Sequence, residues 1–212
     1  MLEIKALPGA SPLEGLLALP TAIFHPPHPI LFFLHGYDEG APLNIEKALT
    51  RHGPLRPGNP AQSVGKFIVV APQLPVRGDT WHRQAEKVRR LLQTVQTNYD
   101  GDPHRTYLSG FSFGGNGVFD LALLQPDLWA ALWPVDPTRV PQKDPARPVW
   151  LSVGAAARRS KTRFIQALGL KPDVDLGADR ICLDQGADHV DSATRAYQDE
   201  RIYSWLLARR LS

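Results

Sequence analysis

The sequence contains a single cysteine, Cys182, and no window that approaches 18 uninterrupted apolar residues. One cysteine excludes an intrachain disulfide and a metal site of the Cys-x-x-Cys kind. The lack of a long apolar run predicts that no helix spans a membrane. The N-terminal segment also lacks the basic region and apolar stretch of a secretory leader, so we expect a soluble cytoplasmic protein.

The chain also has little excess charge of either sign. The 24 basic and 21 acidic residues give a formal net charge of +3, and the densest basic cluster, RRSKTR at residues 158–163, is short. The sequence therefore predicts no binding of nucleic acid. Hydrophobic residues make up 43% of the 212 residues and charged residues 21%, which is ordinary for a globular protein. We expect residues 1–212 to form one domain.

Apolar runs and turn residues predict strands that alternate with helices. The predicted strands cover residues 16–19, 30–34, 67–71, 106–109, 130–135, 149–153 and 181–183. The predicted helices run from a cap at Asp79 or Thr80 to about Tyr99, over 118–124, over 160–168 and over 193–210, with a turn at 100–103. This alternation is typical of a mostly parallel sheet with helices on both faces, so the predicted fold class is α/β.

Ser112 is the first candidate for chemistry. It lies in the sequence Gly-Phe-Ser-Phe-Gly, directly after a predicted strand and directly before a predicted helix. The Gly-x-Ser-x-Gly pattern alone has little specificity, but this placement is that of a nucleophile elbow, a strained turn that lifts the serine off the sheet edge. Gly110 and Gly114 fit this interpretation because a β-carbon at either position would collide with the neighbouring strand or helix. The pattern predicts that Ser112 is a nucleophile.

His189 is the candidate base. A serine nucleophile needs a histidine to take its proton and an acid to orient that histidine. Of the seven histidines only His189 follows Ser112, and it lies between the last predicted strand and the last predicted helix. That loop is at the carboxyl edge of the predicted sheet, where ligands and chemistry gather in open α/β sheets.

With these residues in view, the chain resembles the α/β-hydrolase superfamily, in particular bacterial serine esterases of the phospholipase/carboxylesterase-like and dienelactone-hydrolase-like kinds. The blocks that carry the resemblance are ILFFLHG, RHGP with FIVVAPQLP, NYDGDPHRTYLSGFSFGG, LALLQPDLWAALWPV and RAYQDERIYSWLLARR, in the family's order. The resemblance implies the α/β-hydrolase fold, a catalytic order of serine, acid and histidine, and neither a cofactor nor a metal. It also implies an oxyanion hole formed by the backbone N–H groups of Tyr37 and Phe113.

The sequence departs from the family pattern at the acid. Relatives usually carry an aspartate three residues after the glycine of PVWLSVG, and here that position is Ala157. Asp136, which ends the preceding strand and is followed by proline as in pancreatic-lipase-like relatives, is the predicted acid instead. Other carboxylates near the candidate site offer weaker alternatives, namely Asp144, Asp184, Asp188 and Asp191. A damaged triad without a working acid is a further alternative.

Together these features predict a serine hydrolase that cleaves carboxylic esters. Little more than PTRVPQKDPAR joins the strands at 130–135 and 149–153, so no cap domain is inserted there, and short-chain or partly exposed acyl groups are the expected substrates. A peptidase or a thioesterase with the same site is an alternative within enzymes. A catalytically impaired α/β-hydrolase that acts as a binding protein is the alternative from another class.

The remaining conspicuous residues have more ordinary interpretations. His35 is expected to shape the oxyanion loop, and Cys182 is expected to be a core residue. Four aromatic residues could line a substrate pocket, although at least two of them are expected only to pack: Tyr37, Trp81, Phe111 and Phe113. The basic cluster at 158–163 follows a predicted strand, so part of it could face the site, but a solvated helix start is favoured.

Overall fold

The computed structural model describes residues 2–21, 25–172 and 177–211. Within these residues the strands are β1 (Ile4–Ala6), β2 (Gly15–Ala18), β3 (His28–Leu34), β4 (Ile68–Pro72), β5 (Gly101–Phe111), β6 (Ala131–Val135), β7 (Val149–Val153), β8 (Lys171–Pro172) and β9 (Arg180–Asp184). They form one sheet in the order β1-β2-β4-β3-β5-β6-β7-β9-β8. β2 pairs in antiparallel fashion with both β1 and β4, and every other neighbouring pair is parallel.

Helices cover both faces of this sheet. They are α1 (Ile45–Leu49), α2 (Ala61–Val64), α3 (Ala85–Asn98), α4 (Phe113–Leu124), α5 (Ala155–Arg158), α6 (Lys161–Leu168), α7 (His189–Gln198) and α8 (Glu200–Leu207), with 3-10 helices at Tyr37–Glu39 and Trp81–Gln84. Alternate residues of β3 belong to two core clusters, one shared with α3, α4 and α6 and the other with α1, α2, α7 and α8. Both faces of β3 are therefore buried, which is why ILFFL reads as a continuous apolar run.

The predicted α/β class and all seven predicted strands are confirmed, with boundaries that differ by a few residues. The predicted turn at 100–103 is wrong, because β5 begins at Gly101 and pairs there with His28 of β3. The predicted helix from residue 79 or 80 begins instead as the 3-10 helix, with Thr80 as its N-terminal cap residue, and becomes α-helical at Ala85. Strands β1 and β8 and helices α1, α2 and α5 were not predicted.

The predicted closing helix over 193–210 is two helices. α7 begins earlier, at His189, because the Asp188 side chain accepts a hydrogen bond from the N–H of Asp191 and caps its first turn. The helix is interrupted at Asp199, whose backbone is extended and whose side chain accepts from the N–H of Arg201 to cap α8. Hydrophobic periodicity continues across this break, so the sequence pattern did not reveal it.

The connection between β6 and β7 bears on the predicted absence of a cap. Residues 137–148 contain neither helix nor strand, so no cap domain is inserted there, as predicted.

Among the described residues, no helix combines the length and the apolar character needed to cross a bilayer.

Candidate active site

Ser112 forms a one-residue turn between β5 and α4. Its backbone has φ 56° and ψ −113°, a left-handed conformation that costs energy in a residue with a side chain. The chain is closely packed on both sides of this turn. A β-carbon on Gly114 would lie 2.0 Å from the backbone oxygen of Leu34, and one on Gly110 would lie 2.4 Å from the oxygen of Gly114. These contacts explain both glycines and give Ser112 the geometry of a nucleophile elbow.

A chain of two hydrogen bonds joins Ser112, His189 and Asp136. His189 Nδ1 lies 2.6 Å from Asp136 Oδ2, and His189 Nε2 lies 2.8 Å from Ser112 Oγ. A carboxylate can only accept, so Nδ1 carries the hydrogen, and Nε2 is left to accept from the serine hydroxyl. The structure thus brings the three predicted side chains together in one array.

The fold supplies these three side chains from the carboxyl edge of the sheet. Ser112 follows β5, and Asp136 follows the neighbouring strand β6. His189 begins α7, in the connection that follows β9. The Asp136 side chain is fully buried, whereas 36% of the His189 side chain is exposed.

The turn after β7 surrounds the Asp136 carboxylate with backbone donors. The N–H groups of Gly154 and Ala157 each donate to Oδ1 at 2.8 Å, and the N–H of Ala156 donates to Oδ2 at 3.1 Å. With the imidazole of His189, these donors satisfy both oxygens of a carboxylate that has no contact with water. A β-carbon on Gly154 would lie 2.6 Å from Asp136 Oδ2, so the carboxylate needs a glycine beside it.

The alternative carboxylates have other partners. Asp184 binds Arg158 at 2.7 Å, and this hydrogen bond lowers the pKa of Asp184 to about 2. Asp144 lies 2.6 Å from the guanidinium of Arg180, and Asp188 caps α7. Asp191 lies in the first turn of α7, where its N–H donates to Asp188.

The two predicted oxyanion donors begin neighbouring helical segments. Tyr37 begins the 3-10 helix after β3, and Phe113 begins α4. Their rings meet edge to face with centroids 5.5 Å apart. Within the described residues, neither backbone N–H donates a hydrogen bond, so both are available to a ligand. A β-carbon on Gly36 would lie 3.7 Å from the β-carbon of Ser112, which places the loop against the nucleophile.

His35 shapes this loop, as the sequence predicted. Burial lowers its pKa to about 4, so the ring is neutral near pH 7. Nδ1 lies 2.7 Å from the carbonyl oxygen of Gly36 and must donate to it, and Nε2 accepts the N–H of Leu74 at 2.9 Å. Trp81 packs on the ring and donates from Nε1 to the His35 carbonyl oxygen at 3.2 Å.

The four aromatic candidates for a substrate pocket divide into two pairs. Trp81 and Phe111 are buried core residues, as the sequence predicted for at least two of the four. Phe113 is half-buried beside Ser112, and Tyr37 is 52% exposed. The predicted core position of Cys182 is confirmed by its burial.

The basic cluster at 158–163 is partly paired with an acidic residue, because Arg158 and Lys161 both contact Asp184.

A groove of about 830 Å³ adjoins the 3-10 helix Tyr37–Glu39 and is lined in part by Lys47, Arg51 and Arg77.

Two buried titratable residues near the site were missed by the sequence analysis. Glu39 ends the 3-10 helix after β3, and His52 lies 3.6 Å from it. His52 packs on Phe111 with ring centroids 4.8 Å apart, and Phe111 packs on His189 at 4.7 Å. A glutamate three residues after the glycine of His-Gly was a visible signal, but nothing in the local pattern marked it as buried.

Comparisons with solved structures place this arrangement in a known fold. A thermostable esterase superposes with a TM-score of 0.71 at 17% sequence identity, covering 99% of this chain and 63% of that one. The substrate-bound FphF, a fluorophosphonate-binding serine hydrolase of Staphylococcus aureus, superposes with a TM-score of 0.72 at 14% identity, covering 97% and 98%. The chain therefore has the α/β-hydrolase fold.

Comparison of sequences finds a relative that matches less than half of the chain. No protein-family model matches the chain. The bifunctional acetylxylan esterase/xylanase XynS20E of Neocallimastix patriciarum is 35% identical over 94 residues. That match covers 42% of this chain and only 13% of the relative's length.

Proposed function

We propose that the chain is a serine hydrolase that cleaves carboxylic esters through an acyl-enzyme on Ser112. The observation that carries this proposal is the hydrogen-bonded chain from Ser112 Oγ through His189 to Asp136. A serine hydroxyl is a weak nucleophile until a base takes its proton, and His189 Nε2 lies 2.8 Å from that hydroxyl oxygen. The esterase and serine hydrolase that share the fold support the same reaction class.

The reaction begins when Ser112 Oγ attacks the ester carbonyl carbon and its proton moves to His189 Nε2. Asp136, which accepts from Nδ1–H at 2.6 Å, holds the ring in this tautomer and stabilises the imidazolium. His189 then gives its proton to the departing alkoxide, the alcohol leaves, and the acyl group stays on Ser112. Water repeats the attack with His189 as base, which releases the acid and restores Ser112.

The N–H groups of Tyr37 and Phe113 are the proposed donors to the oxyanion. Phe113 is the first residue of α4, so the positive end of the helix dipole adds to its N–H. Losing one such donor typically costs about 100- to 1,000-fold in rate.

The proposed substrates are small-molecule esters with short or partly exposed acyl groups. The 36% exposure of the His189 side chain and the helix-free connection at 137–148 support an open site. The name of the acetylxylan esterase relative supports a small acyl group such as acetyl. We further propose that residues 1–212 act as one domain in the cytoplasm, without binding nucleic acid.

The test is to label the purified chain with a fluorophosphonate probe and to measure hydrolysis of p-nitrophenyl acetate, an acyl-CoA and an aminoacyl anilide. We expect labelling of wild type, none in Ser112→Ala, and fastest turnover of the ester. Faster turnover of the acyl-CoA or the anilide would move the assignment to a thioesterase or a peptidase. A folded chain that neither labels nor turns over a substrate would instead be a binding protein.

A further inference from the structure

Glu39 is a buried acid that the proposed reaction does not use. It is 3% exposed, and its Oε2 accepts a hydrogen bond from the N–H of Gly36 at 2.7 Å. Burial raises the pKa of Glu39 to about 7, so keeping a carboxyl group here costs folding energy. We therefore asked which part of the structure the Glu39 carboxyl group stabilises.

The other carboxyl oxygen, Oε1, has no hydrogen-bond partner among the described residues, and its neighbour is a second buried side chain. Glu39 Oε1 lies 3.6 Å from Nε2 of His52, which is buried too. The His52 ring packs on Phe111, and Phe111 packs on the ring of His189. Glu39 therefore adjoins a packed layer of rings that continues to the proposed base, and its one side-chain hydrogen bond is the one from the Gly36 N–H.

Glu39 and His35 together clamp the backbone of Gly36. Glu39 accepts from the Gly36 N–H, and His35 Nδ1 donates to the Gly36 carbonyl oxygen at 2.7 Å. That carbonyl belongs to the peptide unit whose N–H is the Tyr37 N–H. Because a trans peptide is planar, its C=O and N–H point in opposite directions, so the clamp also fixes where the Tyr37 N–H points.

Gly36 also lies between the clamp and the nucleophile. A β-carbon on Gly36 would be 3.3 Å from Glu39 Oε2 and 3.7 Å from the β-carbon of Ser112. A small displacement of Gly36 would therefore change the distance from the Tyr37 N–H to any oxyanion formed at Ser112.

We propose that Glu39 is a positioning residue of the oxyanion hole: its side-chain oxygen holds the Gly36 N–H and thereby aims the Tyr37 N–H. This inference rests on the proposed ester hydrolysis at Ser112. The requirement is for an acceptor of this length at this place, and the negative charge itself is dispensable.

Two substitutions separate length from charge. Glu39→Gln keeps an acceptor oxygen at the same reach and removes the charge, whereas Glu39→Asp keeps the charge and withdraws the oxygen by one methylene group. We expect kcat of Glu39→Gln within about threefold of wild type, and kcat of Glu39→Asp lower by at least about tenfold with KM nearly unchanged, because the lost donor acts in the transition state. The matched control is Asp38→Asn, in the same 3-10 helix, which removes an exposed carboxylate bound to Arg77.

The measurements are kcat and KM for p-nitrophenyl acetate, with the concentration of intact sites counted by complete fluorophosphonate labelling. This count keeps loss of folded protein separate from loss of rate per site. If Glu39→Asp does not fold, Glu39→Met, which fills a similar volume without an oxygen acceptor, takes its place with the same expected loss.

The opposite order, with Asp active and Gln impaired, would overturn the proposal in favour of a role for the charge. Equal rates in all variants, or equal losses in Gln and Asp, would overturn it as well. A wild-type chain that neither labels nor hydrolyses the ester would refute the proposed function itself, which is a separate and recognisable result.

Discussion

The backbone N–H of Ala157 donates a 2.8 Å hydrogen bond to the carboxylate of Asp136. Ala157 stands where the resembling esterases usually carry the acid, so this position supports a carboxylate that comes from the neighbouring strand. The segment after β7 contributes backbone N–H groups, and no carboxylate, to the surroundings of Asp136. A carboxylate that follows β6 reaches His189 at 2.6 Å, which is the geometry that a triad acid requires.

Replacing Asp136 by asparagine is expected to lower kcat by about 10³- to 10⁴-fold, because an amide favours the wrong imidazole tautomer and cannot stabilise the imidazolium. The asparagine NH₂ would also meet backbone N–H donors, so thermal stability should fall too. Asp184→Asn is the control, since Asp184 follows β9 but binds Arg158 and Lys161. A larger loss of kcat in Asp184→Asn than in Asp136→Asn would show that Asp184, and not Asp136, is the acid of the site.

Replacing Ser112 by alanine is expected to abolish ester hydrolysis and fluorophosphonate labelling while the circular dichroism spectrum stays that of wild type. The control is Ser109→Ala, three residues earlier in β5. Ser109 is buried and bonds to the carbonyl oxygen of Trp133 and the hydroxyl of Tyr197, so its loss should cost about 1 kcal/mol of stability and leave kcat unchanged. Turnover that survives in Ser112→Ala would remove the nucleophile assignment.

Replacing Gly114 by alanine is expected to destabilise the chain by more than about 3 kcal/mol, because the new methyl group would lie 2.0 Å from a backbone oxygen that cannot move freely. Gly9→Ala is the matched control, since a β-carbon there meets nothing within 4 Å. Thermal unfolding of both variants tests this. Equal midpoints of thermal unfolding would contradict the close packing of α4 against β3 at Gly114.

The elbow and its glycines were predictable because they depend on one local arrangement, a strand that turns directly into a helix. The position of Asp136 beside His189 was predictable from its place at a strand end, since parallel strands deliver their carboxyl ends to one edge. Glu39 and His52 were not predictable, because each became notable only through burial beside residues distant in the sequence. The break at Asp199 was missed because apolar spacing continues on both sides of it.

Acyl-chain length should limit the rate, because no cap domain is inserted between β6 and β7 to enclose a long chain. We expect kcat/KM for p-nitrophenyl esters to be highest for short acyl groups and to fall beyond about eight carbons. A series from acetate to dodecanoate, measured below the concentration at which the long esters form micelles, tests this. Rates that keep rising to dodecanoate would require a deeper acyl site than this fold offers.

The buried carboxyl of Glu39 should leave a signature in the pH dependence of stability. Burial raises its pKa from 4.5 to about 7, so between these values the folded chain holds a proton that the unfolded chain has lost. The stability contributed by the protonated form is thus fully present below about pH 4.5 and is lost as the pH rises through about 7. Glu39→Gln lacks this titration.

The free energy of unfolding of Glu39→Gln minus that of wild type should therefore increase by about 2 to 3 kcal/mol between pH 4.5 and pH 8. His35 and His52, whose pKa values burial lowers to about 4, act in the opposite direction, because the unfolded chain takes up their protons first as the pH falls below 6.5. Both histidines are present in both proteins, so the difference isolates Glu39 to a first approximation. Urea unfolding at four pH values measures it, with Asp38→Asn as the exposed control that should show no comparable change. A difference that is flat with pH would mean that Glu39 stays ionised in the folded chain and that the charge of Arg51 offsets its burial.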